Sequence, residues 1–213
     1  NGLITNVAGN INSISIDSVS DNKFEMNFLR GGIINLQGAS VNDITIGEIN
    51  NNKIIGNENS TSTGFVLYLR ESPKDSTISS NIGNLTVGQI HGNTITATNI
   101  TSLLLRSALV PVENATVISK NGNVTVDKIS NNTLIATDCN DNARGGIIYN
   151  FLHGGIKTTN TTVSLGDINL EHVYNNRLES TISTSTSGET RALSGRHASG
   201  TIIANSIQSC QGN

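Results

Sequence analysis

The chain has 213 residues, a net charge of −3, 14% charged and 3% aromatic residues, no Trp and 2 Pro. So few aromatic side chains argue against the thick core of an ordinary globular domain, and the near-neutral charge argues against a nucleic-acid-binding protein, which would carry a basic stripe. The low charge and the many β-branched residues also exclude an intrinsically disordered chain.

One motif recurs along the chain: apolar-x-apolar-x-x-apolar-x-x-Asn, usually followed by x-apolar. Its six copies end at Asn22, Asn52, Asn93, Asn132, Asn176 and Asn213. Counted from each Asn, positions −8, −6, −3 and +2 are apolar in every one of the first five copies. Successive copies are 30 to 44 residues apart, and such a period is typical of solenoids.

Each repeat predicts strands and no long helix. Positions −8 and −6 alternate as in a strand, and the step of three residues to −3 predicts a bend. A turn then holds the Asn, and a second strand starts near +1. Third strands are predicted at 32–36, 64–69, 102–105 and 146–149, followed by loops with short β-like segments at 76–78, 115–118, 161–163 and 201–203.

Three strands per repeat predict an all-β fold, a right-handed single-stranded parallel β-helix of about six coils of 30–44 residues, as one domain over residues 1–213. Equivalent strands should pair in parallel about 4.8 Å apart. We expect the repeated Asn to form an internal ladder, since stacked amides can hydrogen-bond to each other and Asn tolerates the left-handed conformation of a tight corner.

The two cysteines are predicted to be free thiols. Cys210 takes position −3 of the copy that ends at Asn213, which is a core position, whereas Cys139 follows the second strand of the fourth copy. A disulfide needs Cα atoms within about 7 Å, and residues in different parts of different repeats do not favour that.

The turn motif resembles the repeats of right-handed β-helices of the pectin-lyase-like type. The segments that carry it are Val19-Ser20-Asp21-Asn22, Ile49-Asn50-Asn51-Asn52, Ile90-His91-Gly92-Asn93, Ile129-Ser130-Asn131-Asn132 and Val173-Tyr174-Asn175-Asn176, with Gly-Gly pairs at Gly31-Gly32 and Gly145-Gly146. Within that class the chain is similar to autotransporter passenger domains, particularly the chlamydial polymorphic membrane proteins, which carry Phe-x-x-Asn and Gly-Gly-Ala followed by an aliphatic residue. Here Phe never takes the first place, and Ala follows neither of these two Gly-Gly pairs.

This resemblance implies a bacterial cell-surface (outer membrane) or secreted adhesin segment. The implied partners are host-cell surface molecules or further copies of the chain, without nucleic acid. Because neither terminal repeat carries a visible cap, we expect a piece of a longer passenger, which would reach the surface through a translocator barrel outside this chain.

No residue pattern predicts a cofactor or a metal site, because the histidines lack ligand spacing. The enzyme alternative is a carbohydrate-active β-helix, either a polysaccharide lyase or a glycosidase. Asp127 and Glu171 share position −5 of neighbouring copies, and glycosidases place two carboxylates about 5–9.5 Å apart. Lys128 and His172 follow them directly, which favours ordinary surface charge pairing. We predict that the chain is not an enzyme.

Position −7 gives a candidate surface binding ladder, because it should point outward if −8 and −6 point inward. Its members are Ser15, Thr45, Thr86, Thr125 and Asn169. A regular array of hydroxyls and amides can bind sugars or a similar surface, although Thr also favours strands for packing reasons alone. The sequence therefore favours an adhesin, and a purely structural spacer stays open beside the enzyme alternative.

Overall fold

The computed structural model describes residues 4–6, 9–26, 33–36, 39–56, 61–62, 67–69, 77–97, 99–100, 104–109, 116–136, 144–145, 148–153, 160–180, 189–190, 193–196, 202–204, 207–208 and 211–212. All regular structure in these residues is β-strand. The strands are β1 (Ile4–Asn6), β2 (Gly9–Ser20), β3 (Lys23–Met26), β4 (Ile34–Leu36), β5 (Ala39–Asn50), β6 (Lys53–Gly56), β7 (Thr61–Ser62), β8 (Leu67–Leu69), β9 (Thr77–His91), β10 (Thr94–Ala97), β11 (Asn99–Ile100), β12 (Leu104–Leu109), β13 (Thr116–Asn121), β14 (Val124–Ser130), β15 (Thr133–Ala136), β16 (Arg144–Gly145), β17 (Ile148–His153), β18 (Asn160–Leu165), β19 (Ile168–Tyr174), β20 (Arg177–Ser180), β21 (Glu189–Thr190), β22 (Leu193–Arg196), β23 (Ile202–Ala204), β24 (Ile207–Gln208) and β25 (Gln211–Gly212).

Equivalent strands of successive repeats pair in parallel, so the fold is a parallel β-solenoid. The strands that follow each Asn form one six-stranded sheet in the order β25-β20-β15-β10-β6-β3, with one strand from each of six coils. The strands before each Asn form the largest sheet, which contains β2, β5, β9, β14 and β19. The third strands form the sheets β1-β4-β8 and β12-β17-β22. The prediction of an all-β parallel solenoid is confirmed.

The core consists of apolar columns that run from coil to coil, as the motif predicts. Positions −8 and −3 are buried in all of the first five coils, and Ile90 in the third coil is 0% exposed. Position −6 is buried except for Ile16, and +2 is buried in coils 2 to 4. Ile16 and Phe24 belong to the first coil, where they are only partly buried against the core.

The asparagine ladder forms, and each of its interior members is buried by at least 98%. The backbone N–H and the side-chain Nδ2 of Asn52 both donate to Oδ1 of Asn93, at 3.0 and 2.9 Å. Asn93 donates in the same way to Asn132, at 3.0 and 2.9 Å. The same pairs of bonds join Asn22 to Asn52 and Asn132 to Asn176. Every link runs in the same direction along the stack.

The side-chain amides of Asn52, Asn93, Asn132 and Asn176 also join the strand of the preceding coil. Asn93 Nδ2 donates to the carbonyl of Ile49 at 2.8 Å, and Asn132 Nδ2 donates to the carbonyl of Ile90 at 2.9 Å. Each of these bonds gives a hydrogen-bond partner to the carbonyl group of a −3 residue. A buried polar group without a partner would cost about 1–3 kcal/mol, so this position favours Asn.

The left-handed residue of the corner is the one before the ladder Asn, which corrects the expectation that the ladder Asn itself needs this conformation. Positive φ angles occur at Asp21 (59°), Asn51 (54°), Gly92 (65°), Asn131 (55°) and Asn175 (53°). Asn, Asp and Gly are the residues that adopt this region at least cost. The repeated Asn is therefore selected for its hydrogen bonds, and its neighbour is selected for the turn.

The sixth copy lies three residues earlier than the motif ending at Asn213 predicts. Val173 pairs with Ile207, and Arg177 pairs with Gln211. Because Arg177 directly follows the ladder residue Asn176, its pairing with Gln211 does not fit a register in which Asn213 takes the ladder position. The segment 201–203, expected to be a loop piece, contributes to β23, which pairs with Ile168. Cys139, Cys210 and Asn213 themselves lie outside the described residues.

A second hydrogen-bonded column lies on the outside of the largest sheet, and it was not predicted. The backbone N–H of Asn123 donates to Asn84 Oδ1, and that of Asp167 donates to Asn123 Oδ1, both at 2.9 Å. A glycine directly precedes each of Asn84, Asn123 and Asp167. A Cβ on Gly83 would come within 1.2 Å of the carbonyl oxygen of Asn42, so no larger residue fits at this close approach.

Candidate functional site

The candidate binding ladder is one continuous column on the outside of the largest sheet. Ser15 pairs with Thr45, Thr45 with Thr86, Thr86 with Thr125, and Thr125 with Asn169. The first three side chains are exposed and the last two are partly exposed. Because neighbouring parallel strands lie about 4.8 Å apart, this column offers one hydrogen-bonding group per coil at a regular spacing.

Beyond the bend, two further outward columns flank the buried −3 position. They consist of positions −4 and −2 of coils 1 to 5, and we call them the two-column face: Ser18, Ser20, Glu48, Asn50, Gln89, His91, Lys128, Ser130, His172 and Tyr174. Ser130 is buried beneath its neighbours, and the other nine are at least partly exposed. This face was not predicted as a unit. The signal for it is that both positions are polar in every one of these repeats.

At the coil 2 end, the two-column face is organised around a carboxylate. Glu48 Oε2 accepts hydrogen bonds from Gln89 Nε2 at 2.9 Å and from Asn50 Nδ2 at 2.8 Å. The bond from Gln89, followed by those from Ser18 and Asn50, lowers the pKa of the Glu48 carboxyl below its ordinary value. Glu48 is therefore a fixed negative charge at neutral pH.

At the coil 4 and 5 end, the same face carries a cation and an aromatic ring. The Lys128 ammonium lies 5.7 Å from the centre of the Tyr174 ring. Hydrogen bonds from Lys128 and then from Ser130 lower the pKa of the Tyr174 phenol. Ser130 Oγ also lies 2.9 Å from His91 Nδ1. These contacts hold the side chains of coils 3, 4 and 5 in one hydrogen-bonded group.

The carboxylate pair weighed for catalysis does converge. Ligand atoms of Asp127, Glu171 and His172 all lie within 4.8 Å of one another, and all three residues are exposed. The separation resembles that of the two carboxyl groups in retaining glycosidases, about 5–5.5 Å. The exposure equally suits solvated charges, which have no need of a ligand.

The fold and the outward columns define the class of this protein, a parallel β-solenoid with an internal asparagine ladder and polar outer columns. The chain matches no protein-family model, and comparison with curated proteins and with solved structures finds no match. Among the described residues, no helix is long and apolar enough to cross a membrane.

Proposed function

We propose that the chain is a non-enzymatic segment of a surface-displayed or secreted adhesin of the autotransporter passenger kind, which contacts host-cell molecules or its own copies. The observation that carries the proposal is the column of Ser15, Thr45, Thr86, Thr125 and Asn169, in register over five coils and facing outward. Such a column can make the same hydrogen bond once per coil, which suits a repetitive partner such as a glycan chain.

The repeat architecture supports this function over a compact enzyme site. Stacked coils give a long surface with equivalent positions every 4.8 Å or so, and extended binding surfaces are the usual use of solenoids. Glycan hydroxyls both donate and accept hydrogen bonds, and Ser and Thr hydroxyls do the same. The column therefore has the chemistry to bind neutral sugars without a charged anchor.

We expect the triple substitution Thr45→Val, Thr86→Val and Thr125→Val to weaken binding to a host-glycan panel at least about tenfold, since each lost hydrogen bond contributes about 0.5–1.5 kcal/mol. Valine keeps the shape and the strand preference of threonine. The measurement is binding of the purified chain to the panel and to host cells.

The matched control is Thr94→Val, Thr96→Val and Thr133→Val, which removes three hydroxyls from β10 and β15 on the other sheet. This control should bind like the unchanged chain. Binding that survives the first triple intact, or that falls equally in the control, contradicts the role of the column. A chain that binds neither glycans nor cells contradicts the adhesin itself and favours a structural spacer.

The convergence of Asp127 and Glu171 supports one alternative, a carbohydrate-cleaving enzyme. The same glycan panel separates it from an adhesin when it is examined for shortened products. An adhesin leaves every glycan intact. Cleavage that Asp127→Asn and Glu171→Gln each abolish overturns the proposal and establishes the enzyme.

A further inference from the structure

The two-column face is self-complementary in charge about its third coil. Position −4 runs Ser18, Glu48, Gln89, Lys128 and His172 from coil 1 to coil 5. Glu48 and Lys128 therefore lie one coil to either side of Gln89. Consider a second copy that packs against this face and is related to the first by a two-fold axis. If the axis lies between the two copies and runs parallel to β9, Glu48 of each copy lies opposite Lys128 of the other.

The face is also self-complementary in size. The same rotation brings the small side chain of Ser18 opposite His172, and that of Ser20 opposite the ring of Tyr174. No pair in these two columns joins like charges. A two-fold interface requires this kind of reciprocal match, because each residue contact occurs twice.

We propose that the two-column face binds the same face of a second copy of this chain in an antiparallel two-fold pair. This proposal rests on the proposed function and makes it more specific, because it names a second copy as a partner and the two-column face as the contact surface. The face presents nine accessible residues, fewer than the 20–30 on each side of a standard stable interface. We therefore expect a weak, reversible dimer that forms when many copies are displayed close together.

The fixed positions of the two charges favour this pairing. Glu48 is held by Gln89 and Asn50, and Lys128 is held against Tyr174. Neither charge has to be ordered when the second copy binds, which reduces the entropy cost of association. The acidic side chains of position −5, Asp17 and Glu171, would face each other at the edge. This repulsion confines the contact to the two columns and keeps the dimer weak.

A charge-exchange experiment tests the pairing directly. Sedimentation velocity of the purified chain, up to about 1 mM, should show a concentration-dependent dimer, because weak complexes have dissociation constants near this range. Glu48→Lys or Lys128→Glu alone places like charges opposite each other twice per dimer. Each should weaken dimerisation at least about tenfold, as like-charge contacts do. The double variant Glu48→Lys with Lys128→Glu should restore it to within about threefold.

Controls with the same charge changes use exposed residues on the six-stranded sheet. Glu25→Lys and Lys53→Glu should leave the dimer unchanged.

Thermal unfolding of every variant identifies any that fails to fold. Ser20→Phe is an independent test of the pairing, because the added ring should clash with Tyr174 of the second copy. A chain that stays monomeric throughout, single reversals without effect, or a double variant as weak as the singles overturns the proposal. Glycan binding is measured separately, so none of these results contradicts the proposed binding of glycans.

Discussion

Ile90→Asp is expected to lower the free energy of unfolding by about 5 kcal/mol or more. Ile90 is 0% exposed and lies in a column between Ile49 and Ile129. An aspartate there would place a carboxylate in an apolar stack without a partner, which ranks among the most destabilising changes known. Urea denaturation followed by circular dichroism measures the change.

Thr86→Asp is the matched control, because Thr86 lies in the same strand but is exposed. Its cost should stay near 1 kcal/mol, the span of strand preferences. Equal losses in the two variants would mean that Ile90 does not face the core and that the columns are assigned to the wrong side of the sheet.

Asn93→Asp is expected to destabilise the fold by about 4 kcal/mol at neutral pH, although it changes a single atom. Asn93 Nδ2 donates to the carbonyl of Ile49 and to Asn132 Oδ1. A carboxylate would turn an acceptor toward those two acceptors inside a buried stack, and each unsatisfied or opposed buried group costs about 1–3 kcal/mol. The free energy of unfolding, measured between pH 4 and 8, reports the change.

The pH dependence of this variant has a defined sign. Burial raises the pKa of a carboxyl above its unfolded value, so the folded variant holds its proton more tightly than the unfolded chain. The variant should therefore be closest to the unchanged chain at low pH and lose stability as pH rises through the raised pKa. Asn51→Asp is the control, because Asn51 is exposed and Asp21 takes the same corner position in the first coil. A pH-independent Asn93→Asp, or an equal loss in the control, would contradict the buried ladder.

The repeated motif predicted the core because it fixes which residues share a column. Once Ile44, Leu85 and Val124 were aligned on their asparagines, parallel stacking followed whatever the length of the loops between them. The sixth copy was predicted three residues too late because its position was assigned from an Asn at the turn. Ile202, Ala204 and Ile207 keep the apolar spacing without it, so the apolar positions are the better guide to register.

The outer columns could be predicted only in part. Alternation around the buried −8 and −6 positions gave the Ser15 to Asn169 column. The contacts of Glu48 with Gln89, or of Lys128 with Tyr174, join residues of different coils. They depend on side-chain conformations that no local pattern specifies. The left-handed residue was assigned one place too late because Asn occurs at both corner positions, as in Asn51 and Asn52, and composition alone does not separate their roles.

Hydrogen exchange of the asparagine side-chain amides, followed by NMR, tests the stacked solenoid most directly. The Nδ2 protons of Asn93 and Asn132 are buried and bonded between coils, so they should exchange at least about 100-fold more slowly than those of exposed Asn51, as protected groups do. Such protection would establish that the coils stack in this register. Exchange of Asn93 and Asn132 as fast as that of Asn51 would contradict the asparagine ladder and the solenoid built on it.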